Sequence, residues 1–143
     1  MTPEALARLH AECFRVPPPW SAADFRSLIA DPSCVLLVRT QAENLLAFVL
    51  FRLAADEAEL LTLATAPGAR RGGHARSLLD EGLDTAAARG AHACFLEVAA
   101  TNLAARNLYE SLGFRQVGRR TNYYHRSGHA PIDALVYKAL VRR

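Results

Sequence analysis

At 143 residues the chain has room for one domain with a real core, expected to span 1–143. Its 51% hydrophobic and 22% charged residues are ordinary for a globular protein and exclude a disordered or fibrous one. The net charge of +3 admits an acidic partner, but Lys138 is the only lysine and no arginine run is interleaved with aromatics, so nucleic acid is not an expected partner. Cys13, Cys34 and Cys94 are odd in number and far apart, which suggests no disulfide framework and a reducing cytoplasm. The longest wholly apolar run, Leu45 to Phe51, is too short for a bilayer, and Glu4 and Arg8 stand where a signal peptide needs an apolar core.

Thr2-Pro3-Glu4 reads as a helix start, with Thr2 as cap and Pro3 in the first turn. Leu6, Leu9 and Cys13 form its buried stripe. Val16 to Pro19 stops that helix, and Ser21 can cap a second one from Ala22 to about Ala30, broken by Asp31-Pro32. Val35 to Arg39 and Leu45 to Leu53 read as strands joined by a polar turn at Gln41 to Asn44. Ala54 to Glu57 turns into a third strand, Leu60 to Thr65, apolar on both faces apart from its threonines. Pro67 and Gly68 end it.

Arg70-Arg71-Gly72-Gly73-His74-Ala75-Arg76 follows, and then Leu78, Leu79 and Leu83 at helical spacing. Adjacent glycines let backbone approach a ligand where a Cβ would collide. A helix starting near Gly73 aims free amides and its positive dipole end at the turn, so strand, turn and helix together describe a site for a phosphate or pyrophosphate. His74 more simply fills a variable position.

Arg89-Gly90 ends the long helix, Ala93 to Val98 is a strand, and Thr101 or Asn102 starts a helix to Leu112 with Gly113 as left-handed cap. Phe114 to Arg120 and Leu135 to Leu140 are the last strands, separated by a polar and aromatic loop, Thr121 to Asp133. This order predicts an α/β domain with a mixed sheet and helices on both faces. Glu97, near the end of an apolar strand, is costly to bury unless it borders a cleft or is paired. Asn102 and Tyr109 are two helical turns apart and share a face. His10, His92, His125 and His129 show no ligand spacing and read as bystanders, so no metal is expected. Strand parity sends Cys94 to the face opposite Glu97, into the core.

Arg70-x-x-Gly73-x-Ala75 resembles the acyl-coenzyme A pyrophosphate loop of the GCN5-related N-acetyltransferase (GNAT) superfamily. Leu96-Glu97-Val98, Asn102, Leu108-Tyr109-Glu110-Ser111-Leu112-Gly113-Phe114, Asn122-Tyr123-Tyr124 and Pro19-Trp20-Ser21 resemble its RimI-type group, which acetylates N-terminal alanines of ribosomal proteins. The resemblance covers nearly the whole chain. It implies a GNAT-like, mostly antiparallel central sheet of six or seven strands, with the first strand missing and a sheet edge thereby exposed. It further implies acetyl-CoA as cosubstrate without a metal, and a protein or peptide N-terminus, possibly of a ribosomal protein, as acceptor for a monomer or weak dimer. Leu63, Ala64 and Thr65 should offer backbone groups to the pantetheine arm in a gap beside the Glu97 strand. Arg70 to Arg76 should hold the pyrophosphate, with Asn102 reaching the arm. Glu97 should act as general base and Tyr109 as general acid, while Trp20, Tyr123 and Tyr124 flank the acceptor. Where the group carries Glu-Asp before the last strand this chain has Ile132-Asp133, in a loop one residue longer, which leaves acceptor identity open. The alternatives are a small-molecule amine or lysine as acceptor, or a non-catalytic acyl-CoA-binding module.

Overall fold

The computed structural model describes residues 1–141, so the last two residues of the expected domain lie outside the description. The chain enters on α1 (Pro3–Cys13) and α2 (Ala22–Ala30), both capped as their sequences predict. Thr2 Oγ1 accepts from the Ala5 amide at 3.1 Å, and Ser21 and Asp24 form a reciprocal capping box. Three strands follow, β1 (Cys34–Gln41), β2 (Asn44–Ala54) and β3 (Glu57–Thr65). After a single 3₁₀ turn at Pro67–Ala69 come α3 (His74–Ala88), β4 (Ala93–Ala99), α4 (Leu103–Ser111), β5 (Arg115–Tyr124) and β6 (Ile132–Leu140).

The six strands form one sheet in the order β1-β2-β3-β4-β6-β5. Every neighbouring pair is antiparallel except β3 and β4, which a helical crossover makes parallel. The sheet has a core on each face. Phe48 and Leu50 of β2 join Leu6, Leu9 and Phe25 of α1 and α2 on one side. Ala47, Val49 and Phe51 join Leu78, Leu79 and Leu83 of α3 on the other. The period-2 alternation of β2 thus supplies both cores, which is why its centre reads as an unbroken apolar run. Among the described residues no helix is long and apolar enough to cross a membrane.

Three local expectations need correction. The buried stripe of α1 is Leu6, Leu9 and His10, whereas Cys13 is half-buried with its thiol 3.3 Å from the Thr65 carbonyl. His10 is therefore no bystander: it is 1% exposed. The segment predicted as a loop from Thr121 is the end of β5 as far as Tyr124, and β6 starts already at Ile132. Register between these strands jumps from Arg120↔Ala134 to Tyr124↔Ile132, so Thr121 to Tyr123 bulge out. Asn122 takes a φ of 53° there, and its amide donates to Asp133 Oδ1 at 2.8 Å. Arg119 pairs with the other oxygen of Asp133, so this carboxylate pins the distorted end of β5.

Candidate active site

The site begins where β3 leaves β4. Pairing between them runs only from Glu57↔Ala93 to Leu60↔Leu96. On the far side of β3, register with β2 slips between Leu50↔Thr62 and Phe51↔Leu60, which makes Leu61 an extra residue. A bulge bends and twists the strand that carries it. Here it falls at the last rung shared with β4, so the rest of β3 diverges and a cleft of about 740 Å³ opens between the strands. Leu63, Ala64 and Thr65 line one wall and keep their β2 partners, while their other backbone edge has no strand opposite. The sequence gives no sign of this bulge: Leu60-Leu61-Thr62 carries neither glycine nor proline to mark it.

At the cleft's head the backbone folds into an anion-binding shape. Arg71 has a φ of 70° and Gly73 one of 77°, and Gly73 then caps α3 with no side chain covering the first amides. No acidic residue sits in the first turn of α3. A Cβ built on Gly73 would meet nothing within 4 Å, so this glycine is needed for its left-handed backbone rather than for room inside the protein. Arg70, Arg71, Gly73, His74, Ala75 and Arg76 all line the cleft. Gly72 lies on the other side of the turn, where it lines an adjoining hollow with Gln41 and Asn44. Arg76 donates to Ser111 Oγ at 2.6 Å, which ties the start of α3 to the end of α4.

The opposite wall comes from β4 and α4. Asn102 caps α4, its Oδ1 accepting from the Ala105 amide at 3.2 Å, and lines the cleft with Tyr109 two turns later. Tyr109 is 7% exposed, with its ring edge-on to Phe114 and Tyr137. Burial holds its phenol above the ordinary tyrosine value, so it is a protonated group at any working pH. Glu97 also lines the cleft, with a side chain 32% exposed. It is paired rather than free: Arg120 Nε sits 3.0 Å from its carboxylate. Sequence reading missed Arg120 because the pair joins strands far apart in the chain. Cys94 is fully buried, and burial pushes its thiol up to about 12, as suits a core residue.

Residues 4–114 match the acetyltransferase (GNAT) family. The chain belongs to that family. This acetyltransferase is 39% identical over 106 residues to the ribosomal protein bS18-alanine N-acetyltransferase of Escherichia coli (strain K12), which covers 74% of this chain and 71% of that one. It is 36% identical over 126 residues to the N-alpha-acetyltransferase RimI of Mycobacterium tuberculosis (strain ATCC 25618 / H37Rv), covering 85% and 78%. The crystal structure of the Escherichia coli ribosomal-protein-S18-alanine N-acetyltransferase superposes with a TM-score of 0.88 over 99% of this chain and 88% of that one, at 31% identity.

Trp20 and Tyr124 also line the acetyltransferase's cleft, together with Phe14, Val16 and Pro17. Burial, followed by the nearby Glu97 charge, raises the phenol of Tyr124. Tyr123 is not brought to the cleft: it is 48% exposed, stacked under Arg120 at 5.3 Å and edge-on to Tyr124. The sequence reading set aside one polar residue that lines the cleft. His10 lies on the apolar stripe of α1, one turn after Leu6, and that periodicity was the available signal.

Proposed function

We propose that this acetyltransferase moves the acetyl group of acetyl-CoA to the α-amine of a protein N-terminus, a ribosomal protein being the favoured acceptor. The observation that carries the reading is a single cleft running from bare amides and arginines at α3, past the open edge of β3, to a carboxylate and a phenol on its far wall. The residues suit the cosubstrate part by part. The turn before α3 suits a pyrophosphate. The unpaired edge at Leu63, Ala64 and Thr65 suits the amides of a pantetheine arm, which can add to a strand edge. Acetyl-CoA supplies a thioester carbonyl with a leaving sulfur, so no metal or covalent enzyme intermediate is needed in this scheme.

In the proposed step the amine nitrogen bonds to the thioester carbon and the carbon–sulfur bond breaks. Glu97 takes the proton released by the amine, directly or through one water. Tyr109 gives its proton to the departing sulfur and regains one from solvent. A free α-amine with a pKa of about 7.7–8.0 is roughly a tenth neutral at pH 7, so a modest base suffices, whereas a lysine at about 10.4 is roughly a thousandfold short. A backbone N–H near Ala64 is the candidate partner for the oxyanion. The test is a peptide array with acetyl-CoA in which the first two acceptor residues vary. Acetylation of alanine-initiated peptides is the expected result. Turnover of polyamines or antibiotics but of no peptide N-terminus would defeat the acceptor class, and unchanged turnover in both Glu97→Gln and Tyr109→Phe would defeat the catalytic assignment.

A further inference from the structure

Tyrosines aside, His10 and Thr62 are the buried polar side chains among the described residues, and they are bonded to each other at 2.8 Å. The second ring nitrogen of His10 is also engaged. The Trp20 amide lies 3.0 Å from Nδ1 and can only donate, so Nδ1 offers its lone pair and the ring proton sits on Nε2, facing Thr62 Oγ1. The imidazole is stacked on Phe14 at 4.2 Å and on Trp20 at 5.1 Å, with Phe25 edge-on at 5.4 Å. Burial drives its pKa down to about 4, so it is neutral.

A polar ring in an aromatic nest costs free energy unless both its nitrogens are satisfied, and a leucine or phenylalanine would fill the same space without that demand. What an apolar residue could not do is join three separate pieces of chain. His10 links α1, the Trp20 backbone before α2, and β3 one residue past the Leu61 bulge. Two of these pieces line the cleft: Trp20 and the open edge of β3. We propose that His10 is a positioning residue for the acceptor, a neutral spacer that sets Trp20 at a fixed distance from the diverging part of β3 and so fixes the width of the acceptor end of the cleft. This rests on the acyl-transfer reading above.

The test uses two variants of matched polarity. His10→Asn places an amide oxygen near the former Nδ1, where it can accept from Trp20, while His10→Gln reaches the former Nε2 and Thr62 instead. The expected result is an acceptor KM raised about twofold or less in His10→Asn and about tenfold or more in His10→Gln, with the acetyl-CoA KM within about twofold of wild type in both. Equal acceptor KM values, or a loss shared by both substrates, would overturn the role and leave His10 as packing. The wild-type enzyme gives a readout without turnover. Nitrogen-15 NMR should find His10 as the Nε2–H tautomer between about pH 6 and 9, and the Trp20 amide should exchange about a hundredfold more slowly than in a free peptide. An Nδ1–H tautomer or an unprotected Trp20 amide overturns the proposal even where neither variant folds. Should no peptide be acetylated, the acceptor class falls, and the KM comparison is then made with whichever amine is turned over.

Discussion

Tyr109 is the residue whose environment most constrains its chemistry. Its phenol is held above the ordinary value by burial, so the neutral, proton-bearing form persists through the whole range in which the enzyme could work. Tyr109→Phe should therefore lower kcat by about a hundredfold or more while the acetyl-CoA KM stays nearly constant. The reverse split would make it a binding residue. The same burial keeps Tyr109 protonated as pH rises to about 10, so the wild-type profile should show no alkaline fall in kcat from its ionisation up to that pH. His10 has the opposite shift and a different consequence. Its pKa drops from 6.5 to about 4 on folding, so the unfolded chain binds the extra proton between those values. The stability this contributes is complete above about pH 6.5, declines as pH falls, and is gone below about pH 4, a span worth about 3 kcal/mol. Urea titrations at stepped pH should show that slope in the wild type and a shallower one in His10→Asn. Equal slopes would mean that the imidazole takes up its proton without leaving the nest.

At the scale of elements, the strand–turn–helix at Thr65 to His74 was legible because its signals are local: apolar residues at strand spacing, two glycines, then leucines at helical spacing. The caps at Thr2 and Ser21 were legible for the same reason. What stayed hidden depends on partners distant in the chain. Thr62 is buried beside His10, 52 residues away, and the Leu61 bulge is a property of β2 and β3 together. The left-handed Arg71 carries no glycine to announce it, and the end of β5 looked like a loop because its polar side chains are solvent-exposed on an edge strand pinned by Asp133. Gly82 gives a test of element packing that sequence would have judged wrongly. On an isolated helix, Gly→Ala gains about 1 kcal/mol. In α3, an added Cβ would sit 2.1 Å from Cε2 of Phe51, a ring only 1% exposed at the centre of the sheet. Overpacking of that kind costs typically about 1–3 kcal/mol, and against a ring this deeply buried the clash should win. Gly82→Ala should lower the urea midpoint at constant m. A raised midpoint would show that Phe51 yields easily and that α3 does not need its close approach to β2.

For the molecule as a whole, the sheet is two three-stranded halves hinged on one short parallel ladder, Glu57–Leu60 against Ala93–Leu96. One half carries α1, α2 and α3, and beyond the ladder the two strands bound open space. A ligand seated there touches both halves, the first through Thr65, Arg71 and Gly73 and the second through Asn102 and Tyr109. Acetyl-CoA at about a hundred times its Kd should add about 2.7 kcal/mol of stability and raise Tm by about 8 °C for a chain of this size. That gain alone does not reveal where the ligand lies, since ADP at the same multiple of its own Kd must give the same free energy. Hydrogen exchange separates them. Acetyl-CoA should slow exchange along Leu61 to Thr65 and at the start of α4, because its arm replaces the missing strand partner, whereas ADP should protect only the amides around Gly73. If acetyl-CoA protects no more than ADP does, the arm does not enter the gap, and the thioester cannot reach the space between Glu97 and Tyr109.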